Sequence, residues 1–251
     1  MWPTVVCHQV NNQVAEAYSC GFPCGALARI IQNPLPSPRR SGMSTLLYVE
    51  ASPRKQRSHS IGVAEAFLAA YQKSHPGDRI EKLDLWQEPL PRFDGDMLNA
   101  KYAIMHGESP SVAERAAWGQ VERLFQRFNA ADKYLFSMPM WNFGLPYMLK
   151  HYIDVITQPG LAWSFDPATG SYSGLVKGKA AVVYSSGGIY ETGSGAEAYD
   201  LMRPAFESWL GFIGLTDVSR ITVAGTLYGP DAVAGATAAA TAQAEALAAS
   251  F

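Results

Sequence analysis

The sequence predicts an α/β fold in which one parallel sheet of five strands carries helices on both of its faces. From Met43 onward, short apolar runs rich in β-branched and aromatic residues alternate with longer segments whose apolar residues recur at helical spacing. Strands separated by helices are typical of parallel sheets with right-handed crossover connections. The chain has 251 residues, of which 48% are hydrophobic, so it can bury one sizeable core.

Strands and helices are predicted to alternate along this part of the chain. The strands fall near residues 45–50, 79–84, 133–138, 179–185 and 218–224. The helices fall near residues 59–74, 111–130, 146–157, 196–211 and 230–249. Residues 86–110, which contain three prolines, are expected to form a long irregular link, and residues 163–174 an exposed β-hairpin. Five strands in this arrangement suit the spatial order 2-1-3-4-5.

Residues 49–60, between the first strand and the first helix, have the chemistry of an anion site. Ser58 or Ser60 can cap the helix by accepting a hydrogen bond from one of its free N–H groups. The remaining N–H groups and the positive end of the helix dipole attract an anion. The groups that could bind a phosphate here belong to Ser52, Ser58, His59 and Ser60. Three cations make the segment basic: Arg54, Lys55 and Arg57.

This segment matches neither of the common glycine-rich nucleotide loops. It contains no glycine, so it is not a Walker loop, and it is not the Gly-x-Gly-x-x-Gly dinucleotide fingerprint. A phosphate held by hydroxyls and helix amides is more typical of a mononucleotide. The alternative interpretation is a capped helix that follows a solvated basic loop.

Residues 138–154 join the third strand to a helix. The strand ends at Pro139 because a proline cannot donate to a sheet ladder, and Pro146 suits the first turn of a helix. In an open α/β sheet such a loop lies at the carboxyl end of a strand, where ligands bind. Backbone amides, a carboxamide and aromatic faces suited to a flat ring such as a flavin come from Met140, Trp141, Asn142 and Phe143. The alternative is an ordinary strand–helix connection with core aromatics.

The fourth strand ends in two serines and two glycines, Ser185, Ser186, Gly187 and Gly188. The glycines allow positive φ and let the backbone approach a planar ligand closely. Taken alone, a Gly-Gly pair after a strand is only a turn. The three strand ends carry a phosphate cradle, a ring-edge loop and a glycine platform. Together they are much more specific for a flavin nucleotide than any one of them alone.

From Met43 onward the chain resembles the FMN-dependent NADH azoreductases, also described as NADH:quinone oxidoreductases, of the flavodoxin-like fold. The resemblance rests on Ser-x5-Ser-x-Ser at 52–60, Pro-Met-Trp-Asn-Phe at 139–143, Leu-Lys-x-Tyr-x-Asp at 149–154, Ser-x-Gly-Gly-Ile at 185–189 and Gly-Phe-Ile-Gly-Leu-Thr-Asp-Val at 211–218. Two positions depart from the family pattern. Trp141 replaces a frequent Tyr, and Ser186 stands where some members have a basic residue. These departures bear on substrate and nicotinamide preference.

The resemblance implies a bound FMN and a ping-pong reaction in which two electrons pass from NADH or NADPH to a quinone or an azo compound. The flavin ring edge would lie beside residues 140–143 and 185–188. The substrate pocket would be lined by Tyr190, Phe165 and Phe212, although each of these could instead pack in a core. Because the flavin N5 carries the hydride, no catalytic side chain is required. No such role is assigned to His59, His75, His106 or His151.

The resemblance also implies a homodimer. In this family the hairpin reaches toward the flavin of the partner subunit. The hairpin aromatics Trp163 and Phe165 have no evident core to enter. An apolar patch of that kind on a lone subunit is an association site, which a twofold partner can cover.

The sequence leaves three other functions open: a flavodoxin-type electron carrier, a flavin reductase that releases reduced FMN, and a flavin-free interaction module. Flavodoxin-type carriers tend to be markedly acidic, whereas the net charge is −2 for the whole chain and about −4 for residues 43–251 once the +2 of residues 1–42 is subtracted. The hairpin and the aromatic lining also weigh against a carrier. The sequence has no basic patch of the kind that nucleic acid requires. No apolar run approaches the ~20 residues that span a bilayer.

Residues 1–42 differ in composition from the rest of the chain. They contain all three cysteines, Cys7, Cys20 and Cys24, and end in a proline-rich stretch. They lack the pattern of a secretory signal, and the cysteines lack the second ligand pair of a metal site. We expect a disordered extension, or a start assigned upstream of a natural initiator at Met43, before one FMN-binding domain over residues 43–251. That domain has no cysteine, which is consistent with a cytoplasmic location.

Overall fold

Seven strands are present in the computed structural model, which describes residues 43–106 and 108–251. They are β1 (Thr45–Glu50), β2 (Arg79–Asp84), β3 (Lys133–Pro139), β4 (Trp163–Asp166), β5 (Ser171–Gly174), β6 (Lys179–Ser185) and β7 (Asp217–Val223). Five of them form a parallel sheet in the order β2-β1-β3-β6-β7. The predicted order is confirmed, since β6 and β7 are the fourth and fifth strands of the sheet. β4 and β5 pair antiparallel as the expected hairpin.

The helices are α1 (His59–Ser74), α2 (Gly95–His106), α3 (Val112–Asn129), α4 (Tyr147–Ile156), α5 (Met202–Ile213) and α6 (Pro230–Ser250). Short 3-10 turns precede α1 at Lys55–Arg57 and α5 at Glu197–Tyr199. Four of the five predicted helices agree with α1, α3, α4 and α6 to within about one residue at each end. The extension expected over residues 1–42 lies outside the described residues.

The expected irregular link over residues 86–110 is wrong in its central part, which forms α2. Met97 and Ala100 are buried three residues apart, and Ile104 packs against the same core one turn later. All three prolines of this stretch lie outside the helix, so they bound it and do not interrupt it. Only a narrow stripe of α2 is buried, which is why its periodicity is weak.

Helix α5 begins later than the predicted position 196. Its third residue is Pro204, which is tolerated there because N–H groups in the first turn have no intrahelical acceptor. The helix ends at Ile213 and is followed by Gly214, whose φ of 108° is left-handed and therefore favours glycine. The Leu215 N–H donates to the Leu210 carbonyl at 2.8 Å and satisfies one of the last carbonyls.

Alternate side chains of the strands pack into two separate cores, one on each face of the sheet. Leu47 and Val49 point into a core shared with α2, α3, α4 and α5. Leu46 and Tyr48 point into a core shared with α1 and α6. The sheet is thus the middle of three layers, as predicted. The loops at the carboxyl ends of its strands remain free to form a site.

Two features are absent from the residues that the structure describes. None of the helices among them is long and apolar enough to cross a membrane. No group of three or more histidine, cysteine, aspartate or glutamate side chains there could hold a metal ion.

Candidate functional site

The carboxyl ends of β1, β3 and β6 lie side by side. The Ala51 N–H donates to the Ser137 carbonyl at 3.0 Å, which joins the end of β1 to β3. The Met140 N–H donates to the Ser185 carbonyl at 2.7 Å, which joins the end of β3 to β6. The structure therefore brings together the three loops that the sequence predicts to form a site.

The loop after β1 presents hydroxyls and helix amides to one point. Ser58 is the N-cap of α1, and its Oγ accepts from the Ile61 N–H at 3.5 Å. This resolves the choice between Ser58 and Ser60 as the cap. Ser60 Oγ lies 3.2 Å from Ser58 Oγ, and the Ser52 hydroxyl is fully buried. The amides of His59 and Ser60 precede the first intrahelical hydrogen bond, so they can donate to an anion.

The three cations of this loop do not all act alike. Arg54 and Arg57 are exposed. Lys55 instead reaches back to the sheet, with Nζ 2.6 Å from Glu50 Oε1 and 2.5 Å from Asp84 Oδ2. Burial works to lower the pKa of Lys55, but these two carboxylates outweigh it and raise the pKa above its ordinary value. Of the three cations that make this segment basic, Lys55 therefore contributes no uncompensated positive charge.

The loop after β3 contains a tight turn that sequence reasoning missed. Trp141 and Gly144 exchange backbone hydrogen bonds of 3.0 and 2.9 Å around Asn142 and Phe143. The φ angles of Asn142 and Phe143 are 47° and 66°, so this is a type I′ turn. Asparagine tolerates the left-handed region, but a phenylalanine there costs roughly 1–2 kcal/mol. Both side chains are exposed, so core packing does not repay this strain.

An aromatic cluster supports this turn from the side of β2. Trp86 lies 5.9 Å from Trp141 and 5.4 Å from Tyr147, measured between ring centroids. Trp86 Nε1 donates to the Ala51 carbonyl at 2.9 Å, which ties the cluster to the end of β1. Sequence reasoning missed Trp86. Its signal was its position, two residues after a predicted strand and hence at the same edge of the sheet.

The serine and glycine segment after β6 pairs with the loop after β7. The Ser186 N–H donates to the Val223 carbonyl at 3.0 Å, and the Leu227 N–H donates to the Gly187 carbonyl at 3.2 Å. A Cβ at Gly187 would lie 2.8 Å from the Leu227 side chain, and one at Gly188 would lie 2.9 Å from the Tyr190 ring. Neither glycine has positive φ. A larger residue at either position would therefore have to displace a neighbouring side chain, whereas left-handed backbone plays no part.

The three residues predicted to line a substrate pocket do not meet within one chain. Tyr190 lies at the site, with its ring 6.3 Å from Phe143. Phe165 and Phe212 belong to a second aromatic group on the hairpin and α5, together with Trp163 and Tyr172. In the part of the chain that the structure describes, no ring contact links this group to Tyr190.

The expectation that the hairpin aromatics have no core to enter has a different outcome for each of the two. Trp163, for which no core was evident, is only partly exposed and packs against the core shared with α3 and α5. Phe165 is exposed by 38% and remains on the surface. His151 contacts the Pro91 carbonyl through Nε2 at 2.8 Å, and this contact joins α4 to the segment between β2 and α2.

The hydrogen-bond donors of the three loops correspond to the parts of the ligand that the sequence suggests. Buried serine hydroxyls at a helix amino end suit a terminal phosphate. The exposed Asn142 carboxamide and two glycines that let the backbone come close suit the edge and face of a planar ring. The residues present therefore fit a mononucleotide that carries a heteroaromatic ring system.

Comparisons with known proteins agree with this geometry. Residues 44–248 match a protein family described as having a flavodoxin-like fold. The chain is 48% identical to an FMN-dependent NADH:quinone oxidoreductase from Desulfotalea psychrophila, an alignment that covers 74% of this chain and 87% of that protein. It is 44% identical to another from Nitratidesulfovibrio vulgaris, covering 83% and 100%.

Solved structures with the same fold carry related names. An azoreductase from Bacillus anthracis superposes with a TM-score of 0.77 at 30% identity, covering 83% of this chain and 100% of that one. An FMN-dependent NADH-azoreductase from the same species, in complex with FMN, superposes with a TM-score of 0.73 at 25% identity, covering 82% and 100%.

Proposed function

Because this chain belongs to the flavodoxin-like family of FMN-dependent NADH:quinone oxidoreductases, it is an FMN-dependent oxidoreductase, and we propose that quinones and azo compounds are its acceptors. We further propose a ping-pong reaction, with NADH or NADPH as the first substrate. The observation that carries the proposal is the meeting of three loops at one sheet edge, each with the donors that one part of FMN needs. A cytoplasmic location belongs to the same proposal.

The residues that would hold FMN fall into two groups. The phosphate would be held by Ser52, Ser58, His59 and Ser60. The ring edge would be held by Met140, Trp141, Asn142, Phe143, Ser185, Ser186, Gly187 and Gly188. When bound, FMN would supply the redox chemistry, since its ring can accept and donate a hydride. The protein side chains bind and orient it, and Trp86, Trp141 and Tyr190 would keep water from one side of the pocket.

We propose that the active form is a homodimer. Phe165 and Phe212 are each exposed by 38% and Tyr172 by 60%, which is a large aromatic surface for a lone subunit. A twofold partner can cover it with the same surface from both chains. This arrangement would bring Phe165 and Phe212 of one chain toward Tyr190 of the other and complete a substrate pocket that one chain leaves open.

The function can be tested on the purified protein. We expect a yellow protein that keeps FMN through a desalting column, releases FMN and not FAD on heating, and scatters light as a dimer. NADH should bleach it, and steady-state NADH oxidation with a quinone should give the parallel double-reciprocal lines of a ping-pong reaction. Bleaching without turnover would indicate a flavodoxin-type carrier. Loss of FMN on the column would indicate a flavin reductase, and a protein that stays colourless with added FMN would refute the proposal.

Two substitutions at Asn142 separate its carboxamide from its backbone. Asn142→Gly keeps the left-handed turn and removes the carboxamide, whereas Asn142→Ala removes the carboxamide and strains the turn. If the carboxamide hydrogen-bonds to the ring edge, both variants should weaken FMN binding by about 1–3 kcal/mol. Titration of the apoprotein with FMN measures this. Wild-type affinity in Asn142→Gly would show that the carboxamide does not touch the ligand.

A further inference from the structure

Lys55 adopts a backbone conformation that a lysine does not favour. Its φ is 49°, in the left-handed region where glycine and asparagine are the usual residues. A lysine kept at such a position indicates that its side chain makes contacts that compensate for the strain.

Those contacts lie at the ends of two neighbouring strands. Glu50 is the last residue of β1 and Asp84 the last residue of β2, and the two are partners in the register of the sheet. Lys55 Nζ bridges them, at 2.6 Å from Glu50 Oε1 and 2.5 Å from Asp84 Oδ2. Glu50 is fully buried, and its other oxygen lies 2.5 Å from Lys82 Nζ. Two carboxylates thus face two ammonium groups, and Lys55 has no uncompensated charge left for another anion.

The backbone of Lys55 is connected directly to the phosphate cradle. Its carbonyl accepts a hydrogen bond from the Ser58 N–H at 2.8 Å. Ser58 in turn caps α1 and lies against Ser60. One backbone hydrogen bond therefore connects the ion-paired Lys55 to the phosphate cradle.

We propose that Lys55 is a positioning residue of the phosphate site and not a phosphate ligand. Held by Glu50 and Asp84, it fixes the turn that places Ser58 at the amino end of α1. This inference rests on the proposed FMN function. It differs from the simplest expectation for a lysine in a phosphate-binding loop, which is direct contact with the phosphate. For direct contact, Lys55 would have to give up its ion pair with Glu50. This buried carboxylate would then have one partner fewer.

The test is the affinity of the apoprotein for FMN and for riboflavin, which lacks the phosphate, measured by flavin fluorescence. The variants are Lys55→Met, Glu50→Gln and the double variant, with Lys73→Met as a control for the loss of one exposed positive charge on α1. We expect Lys55→Met and Glu50→Gln each to weaken FMN binding by about tenfold, a loss similar to that caused by removing a residue that orients a metal ligand. The double variant should be no weaker than the more affected single variant. Riboflavin affinity, and FMN affinity in Lys73→Met, should not change.

Lys55→Gly gives an independent measurement. Glycine relieves the backbone strain, so urea unfolding would show an apoprotein no less stable than Lys55→Met. The FMN affinity should nevertheless fall, because the connection to Glu50 is lost.

If Glu50→Gln binds FMN as well as or better than wild type while Lys55→Met binds it poorly, Lys55 contacts the phosphate and the proposal is overturned. Equal loss of FMN and riboflavin affinity would also overturn it, since it would indicate general damage. Failure of the wild-type protein to bind FMN would refute the proposed function instead.

Discussion

Replacing Ser58 with aspartate is expected to weaken FMN binding by about a hundredfold or more while α1 keeps its cap. Aspartate is as good an N-cap as serine, so the start of the helix should survive. The new carboxylate, however, would lie in the cradle proposed for the phosphate. Two unit charges 4 Å apart at the edge of a protein repel by about 4 kcal/mol, so the loss could reach about a thousandfold.

Riboflavin and a second cap provide the controls for this prediction. Riboflavin has no phosphate, so its affinity should fall much less than that of FMN. Ser111 caps α3 through a capping box with Glu114, far along the chain from the cradle. Ser111→Asp therefore makes the same substitution at another helix start and should leave FMN binding unchanged. Equal FMN affinity in Ser58→Asp and wild type would mean that the phosphate does not bind at this end of α1.

Adding one methyl group at Gly174 is expected to lower the free energy of unfolding by about 3 kcal/mol or more. A Cβ there would lie 2.2 Å from the Gly214 nitrogen and 2.3 Å from the Ile213 carbonyl carbon. Both are backbone atoms, so the hairpin must move away from the end of α5. That movement would break the hydrogen bond of 2.9 Å from the Val176 N–H to the Ile213 carbonyl.

The matched control for Gly174→Ala is Gly211→Ala, because Gly211 lies near the end of α5, the helix that Gly174 packs against. Gly211 is exposed in α5, and a Cβ there would meet no atom within 4 Å. Gly211→Ala should therefore stabilise the protein by about 0.5–1 kcal/mol, since alanine is the better helix former. Urea unfolding of both apoproteins measures the two effects. A similar small change in both variants would show that the hairpin is not held against α5 as the structure has it.

The sequence alone was sufficient for most of the fold, because each element carries its own local signal. Pro139 ends β3, Ser58 begins α1 and Gly214 follows the end of α5, and each acts through backbone chemistry readable within a few residues. The predicted elements differ from the structure at α2 and at the start of α5, where the local signal is weak. Helix α2 buries only a narrow stripe, and the start of α5 depends on how Pro204 is accommodated.

The location of the candidate site could be predicted for a related reason. In a parallel sheet all carboxyl ends lie at one edge, so three loops with the right chemistry must be near one another. The roles of the individual residues in binding FMN remain predictions. Trp86 could have been added from the same rule, because it follows the strand that becomes β2.

What the tertiary structure alone decided depends on pairs of residues that are distant in the chain. Lys55 is neutralised by Asp84 because β1 and β2 pair in a register that places Glu50 beside Asp84, and no periodicity in the sequence encodes that register. The same holds for Gly187 and Leu227, which meet because β6 and β7 are neighbours. Local composition determines which chemistry each strand end carries. Strand register and long-range packing determine which charges remain free, which glycines are crowded and which aromatics stay exposed.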